Sequence, residues 1–204
     1  NYVNFAGQTW RIVRVNEDGT IRIIMQDGIN NNTKYEFNTN TNNYKYMYYS
    51  NSQAKTTLES WYQTNIESKS DLTSKVVSGN YYCEEAKVRY SNTYKSNKAT
   101  MVIYTSYTPN FKCATDGNNK GPVNASIGLL TYDEIVHSGG NYKRANKNYY
   151  LYNSSIDYWT MSPAGFSNLA YMWFAVNPGY IDKDFSSSNR AVRPVLNLTA
   201  DTQI

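Results

Sequence analysis

Hydrophobic and β-branched positions are set among polar ones twice in the first 26 residues, over Trp10 to Val15 and again over Thr20 to Gln26. Between the two runs stands Asn16-Glu17-Asp18-Gly19. Its Asp-Gly pair supplies the positive φ that a tight turn requires, so the pattern predicts a β-hairpin. The following stretch, NNNTKYEFNTNTNN, has no period and predicts an exposed loop. From Ser52 the period changes: Ala54, Leu58, Trp61, Tyr62 and Ile66 fall on one face of a helix, with Ser52 as its N-cap. Residues 67–126 mix short apolar pieces with turn formers and read as an irregular insertion. A short strand is predicted over Ile127 to Leu130, and Thr131 with Glu134 forms a capping box for a second, short helix that Gly139 ends. Strands follow near 157–162, 170–176 and 191–198. In the middle one, Tyr171 and Trp173 share one face and Met172 and Phe174 the other, which places a strand apolar on both faces inside its sheet. Pro194 has no N–H to give a ladder and marks an edge, a strand end or a bulge. Strands, then helices, then strands make the fold class α+β.

Composition narrows the picture. A length of 204 residues suits one domain that can bury a sizeable core. No apolar run reaches about 18 residues, so no membrane span is expected here. The chain opens at Asn1 with neither a basic nor an apolar leader segment, so any export signal or anchoring helix is expected to lie upstream. Tyrosine occurs 21 times and asparagine is abundant, which reads either as the codon drift of an AT-rich genome or as a recognition surface, since Tyr gives rigid amphipathic contact and Asn adaptable hydrogen bonds. The net charge of +4 comes from scattered groups and argues against a nucleic-acid partner. Cys83 and Cys113 have no CxxC spacing and no paired histidines beside them, which makes zinc unexpected. In an exported protein they suit a disulfide, two buried thiols being the alternative. Closing that loop would stabilise the fold by about 3–4 kcal/mol.

Candidate chemistry is sparse. His137 is the one histidine, no GxSxG surrounds any serine, and its place in the last turn of a helix suits it to complement the dipole. Asp133 and Glu134 point in different directions as helical neighbours, and Glu134 is committed to its cap. Asp182 and Asp184 alternate around Lys183 and so present two carboxylates to one side, a pattern that a cation or a glycosidase uses, with solvated charge the plainer reading. No metal and no cofactor is expected. Trp10, Trp159 and Arg193 are framework residues, with Arg193 expected to hold the closing strand through a buried carboxylate or carbonyl. Arg190 is a weaker candidate for an anion. Asn-x-Ser/Thr triplets at Asn31, Asn124, Asn153 and Asn197 are expected by chance in so Asn-rich a chain.

The segments NYVNFAGQTWRIVRVNEDGTIRI, FKCATDG, IGLLTYDEIVHSGG, YWTMSP and NRAVRPVLNL together resemble an uncharacterised domain family of exported and surface proteins in low-GC Gram-positive bacteria. In that family the domain often follows a pilin-like or membrane-anchoring helix. More distantly, the order YWTMSP, an aromatic strand, a polar loop and AVRPVLNL is similar to the C-type-lectin-like fold. This resemblance implies mixed, mainly antiparallel twisted sheets with two helices and long loops, forming one domain over residues 1–204 with the insertion at 67–126. It implies a noncatalytic domain, extracellular or on the cell surface, whose C-terminal loops meet a glycan or protein ligand, with the globular head of a minor pilin as the alternative. The ligand loops would be Ala164 to Asn168, Asn177 to Gly179 and Asp182 to Asn189. The candidate contacts are Phe166, Asn168, Tyr171, Trp173, Asn177, Tyr180, Asp182, Asp184 and Asn189. The calcium signatures Glu-Pro-Asn and Trp-Asn-Asp of sugar-binding lectins are absent, so calcium-dependent binding does not carry over.

Overall fold

The computed structural model describes residues 1–83, 123–166 and 168–202. Its framework is two sheets. In the first, β1 (Tyr2–Phe5), β2 (Gln8–Val15), β3 (Ile21–Met25) and β11 (Val195–Leu198) run in the order β1-β2-β3-β11, all antiparallel. Ala6 and Gly7, both at positive φ, turn β1 into β2. The hairpin expected around Asp18-Gly19 joins β2 to β3, with Gly19 at φ 81°. Its register shifts between Ile12 and Arg14, a bulge that sets Arg14 directly across from Arg22.

The second sheet has the order β4-β10-β7-β8-β9, where β4 is Lys34–Glu36, β7 Tyr158–Phe166, β8 Ala170–Val176, β9 Tyr180–Phe185 and β10 Asn189–Ala191. All its pairs are antiparallel except β10 with β7. Every residue of β7 is buried, and its register shifts on either side of Pro163, which gives no hydrogen bond to a ladder. Two bonds beside this irregularity locate the start of the short helix that follows residue 131: Met161 N–H donates to the Leu130 carbonyl and Tyr132 N–H to Ser162 Oγ. A third, two-stranded sheet joins β5 (Asn80–Tyr82) to β6 (Val123–Ala125).

Both helices read from the sequence are present. Helix α1 (Gln53–Tyr62) begins where Ser52 Oγ accepts from Lys55 N–H at 3.0 Å, and continues as a π-helical turn over Gln63–Glu67. Its face of Ala54, Leu58, Trp61, Tyr62 and Ile66 is buried as the spacing predicts. After a short helix α2 (Ser70–Thr73), helix α3 (Tyr132–His137) carries the Thr131–Glu134 capping box. The architecture is therefore α+β, with antiparallel sheets and few helices, around one continuous core that draws on both main sheets and α1. Among the described residues, no helix is long and apolar enough to cross a membrane.

Four expectations need correction. The stretch expected as an exposed loop contains β4 and a fully buried Phe37, and Asn38 is tied down by N–H to the Ser186 carbonyl and by Nδ2 to the Asn51 carbonyl. Ile127 to Leu130 forms no strand; it makes one isolated bridge, Gly128 with Val195. The single strand expected over 191–198 divides at Pro194, so that β10 enters one sheet and β11 the other, which ties the two together. Ala164 to Phe166 and Asp182 to Phe185, expected in loops, belong to β7 and β9. Most of the 67–126 insertion, and Cys113 with it, lies outside the described residues, and so does its pairing with Cys83.

Candidate functional site

The stretch GINNNT explains itself through backbone sterics. Asn30, Asn31 and Asn32 all sit in the left-handed region, at φ 50°, 56° and 64°. Such residues ordinarily occur singly, because the left-handed turn costs about 1–2 kcal/mol for each L-residue, and Asn is among the few that accept it. Three in succession store strain that the surroundings must hold. Ile29 anchors the turn, fully buried and donating its N–H to the Val192 carbonyl at 2.9 Å. Gly28 N–H donates to Asn32 Oδ1 at 2.6 Å, Asn30 Nδ2 donates to the Tyr35 hydroxyl at 2.7 Å, and Thr33 Oγ1 donates to the Asn30 carbonyl at 2.6 Å.

This turn forms one wall of a cavity of about 390 Å³. Gln8 from the start of β2, Asp27 and Gly28 just beyond β3, and Asn65 from the π-helical turn complete its polar lining; Met25 and Trp61 add apolar surface. Trp61 stays fixed there by packing on Trp10, ring centroids 6.5 Å apart, while Asn65 Nδ2 donates to the Trp61 carbonyl. Trp10 in turn donates Nε1–H to the Phe5 carbonyl at 2.9 Å. Asp27 is the one ionisable side chain of the lining. Each carboxamide offers both donors and acceptors, so the cavity matches a neutral ligand rich in hydroxyl or amide groups better than a charged one. Its size lies within the ~300–1,000 Å³ usual for small-ligand sites.

The expected ligand residues are dispersed instead of gathered. Phe166 and Trp173 belong to the core; Trp173 is fully buried, packed 4.8 Å from the ring of Tyr132 and 5.2 Å from that of Tyr142. Burial therefore removes both from a surface contact set. Asn168, Tyr171 and Asp184 come together where β8 begins and β9 ends, with Asn189 at the head of β10. There Tyr171 lies across from Phe185, ring centroids 4.7 Å apart, and Asp184 pairs with Arg190 at 2.6 Å. Asn177 and Tyr180 lie at the opposite end of the same hairpin, where Asn177 accepts from the Tyr152 hydroxyl, and Asp182 lies mid-strand across from Phe174. Asp182 and Asp184 each accept from the N–H of the next residue, a local bond that needs no cation. Among the described residues no group of three or more His, Cys, Asp or Glu side chains could hold a metal ion.

Trp10, Trp159 and Arg193 are all fully buried. Trp159 donates Nε1–H to the Tyr35 carbonyl at 2.9 Å, and Arg193, fully buried, donates to the carbonyls of Met25 at 2.6 Å and Leu151 at 3.1 Å. Both are carbonyl partners, not carboxylates. The ionic centre that sequence reasoning missed is Glu134. Arg14 Nη1 donates to its Oε1 at 2.6 Å; Arg22 Nη2 and Thr131 N–H donate to Oε2 at 3.1 and 2.9 Å. Arg22 Nε also approaches Oε1 at 2.5 Å, as an ion pair off the line of its N–H. Burial opposes ionisation of this carboxyl, but the guanidiniums of Arg22 and Arg14 outweigh it and hold its pKa below the ordinary value. Both carboxylate oxygens are thus engaged, which suits Glu134 to tie α3 to the hairpin. Its cap was legible, but its two arginines lie 112 and 120 positions away in sequence and left no local signal.

No protein-family model, no curated protein and no solved structure matches this chain.

Proposed function

We propose that this chain is a noncatalytic binding domain displayed outside the cell, lectin-like in its arrangement, and that its ligand is a glycan seated in the cavity of the Asn30–Asn32 turn. One observation carries the reading: three consecutive strained asparagines give a wall of carboxamides to a cavity whose other walls carry further amides, one carboxylate and a tryptophan. Strain of this kind persists where a fixed geometry is needed, and fixed amides beside an aromatic ring recognise a sugar at low cost in entropy. Support for the lectin-like arrangement comes from the sequence resemblance and from the tail, whose strand β11 returns to pair with β3 of the opening hairpin. The export and surface location rest on the resemblance alone.

The reading moves the ligand away from the C-terminal loops. It is tested by screening the folded chain on a glycan array and then titrating the best ligand into Asn31→Gly. Glycine keeps the left-handed backbone and deletes only the carboxamide. Loss of one or two hydrogen bonds, each about 0.5–1.5 kcal/mol, predicts roughly 2- to 140-fold weaker binding. Unchanged affinity in Asn31→Gly, or binding abolished by Phe185→Ser instead, would return the site to the C-terminal loops; an array with no glycan bound by folded protein removes the glycan.

A further inference from the structure

The outer edge of a sheet presents main-chain N–H and C=O groups on which another chain can pair. Among the described residues, the edge strands of the two main sheets are β1 and β11 in one and β4 and β9 in the other. Strand β9 is the longest of these, six residues against four, four and three. Its pairing with β8 runs unbroken from Tyr180 to Phe185, so successive residues turn their main-chain groups to opposite sides. The side facing away from β8 is identified by Ile181, whose N–H donates to the Asn141 carbonyl at 2.8 Å and whose carbonyl accepts from Lys143 N–H at 3.0 Å. Lys183 and Phe185 follow in the same alternation and turn their N–H groups to that outer side.

Both of those N–H groups are already engaged by the strand itself. Lys183 N–H donates to Asp182 Oδ1 at 2.9 Å, and Phe185 N–H to Asp184 Oδ1 at 2.8 Å. The Phe185 carbonyl accepts from Ser188 N–H at 2.9 Å. Asp184 is held in place by Arg190, Nη2 to Oδ2 at 2.6 Å. A short acceptor side chain that bonds a neighbouring main-chain N–H competes with ladder formation. The Asp-Lys-Asp alternation therefore sets two such acceptors along one edge, each over the N–H that follows it.

We infer that Asp182 and Asp184 close the β9 edge against a second copy of this chain. Without them, two β9 edges would meet antiparallel about a twofold axis, each copy offering the N–H groups of Lys183 and Phe185. A second copy is the partner this edge meets at the protein's own concentration, and like edges are complementary in such a pairing. The inference stands apart from the glycan reading, since no residue of β9 lines that cavity.

Sedimentation equilibrium of the intact chain and of the double variant Asp182→Ala/Asp184→Ala, with amide exchange of both, tests this. The alanine variant is expected to self-associate at least about tenfold more tightly than wild type, since each copy gains two donors for the seam. Exchange at the Lys183 and Phe185 amides should slow in that variant as chain concentration rises. Asp182→Asn/Asp184→Asn removes the charge but keeps an acceptor oxygen at both positions, and should associate no more than wild type. If the double alanine variant unfolds, Asp182→Ala alone carries the test, because it leaves the Asp184–Arg190 pair in place; tighter association with slowed exchange at Lys183 is then expected. Folded alanine variants that associate no more than wild type would overturn the inference. So would asparagine variants that associate as tightly as the alanine ones, or association that leaves exchange at Lys183 and Phe185 unchanged.

Discussion

Replacing Glu134 by Gln deletes one charge and almost no volume, which makes it a clean probe of what ties the hairpin to α3. The Glu134 side chain is 3% exposed and that of Arg22 is 4% exposed. In the variant, Arg22 stays buried with no carboxylate, and it stands directly across the β2–β3 ladder from Arg14. Breaking a buried pair by removing one partner costs about 3–5 kcal/mol, because the remaining charge is uncompensated. The cap itself survives, since the glutamine carbonyl still accepts from Thr131 N–H. For a chain of this size each kcal/mol moves Tm by about 2–4 °C, so the fall should be roughly 6–20 °C. Urea unfolding followed by circular dichroism measures the loss directly, with the slope against denaturant unchanged. The pH dependence gives a second, independent readout. A carboxyl whose folded pKa lies below its unfolded value stabilises the fold above the unfolded pKa, about 4.3 for Glu, and loses that contribution as pH falls through the folded value. Wild type should therefore shed stability below about pH 4.3, while Glu134→Gln lacks that part of the acid limb. A loss smaller than about 1 kcal/mol, together with an unaltered acid limb, would refute the assignment of Glu134 as the ionic link.

Two further substitutions test the backbone. Asn31→Val places a β-branched residue at φ 56° and should cost about 1–2 kcal/mol by thermal unfolding, whereas Asn31→Gly should leave Tm unchanged or raise it; equal behaviour of the two would mean the left-handed turn is not populated. Gly128→Ala would place its Cβ 2.6–2.9 Å from the ring of Tyr82, whose hydroxyl donates to the Val195 carbonyl, so a loss of about 1–3 kcal/mol is expected, and a neutral result would show that Tyr82 does not pack there.

The elements legible in the sequence are those whose signal is local. Asp18-Gly19, Ser52 before a 3.6-residue apolar period, and the Thr131–Glu134 box each specify a turn or a helix end within a few positions. The elements that were not legible depend on distant partners. Strand β9 has one buried residue, Ile181, among half-exposed and exposed ones, so Asp182-Lys183-Asp184 reads as a loop although six residues of β8 pair with it. Burial of Phe37 and Asn38 depends on bonds to residues 51, 54 and 186, far from the polar stretch that contains them. The bulge at Ile12–Arg14 and the convergence of Arg14 and Arg22 on Glu134 are likewise products of tertiary packing. The asparagine run held a signal that composition obscured: three successive residues tolerant of the left-handed region, two positions after a glycine, describe a turn of opposite hand.

The central claim is that the Asn30–Asn32 turn exists to present amides to a bound sugar. Nuclear magnetic resonance of the uniformly labelled chain, titrated with the tightest glycan from the array, tests it most directly. The account predicts saturable shifts of the carboxamide protons of Asn30, Asn31 and Asn65 and of the Trp61 indole N–H. Shifts confined to Asn168, Tyr171 and Phe185, with that cavity silent, would contradict it.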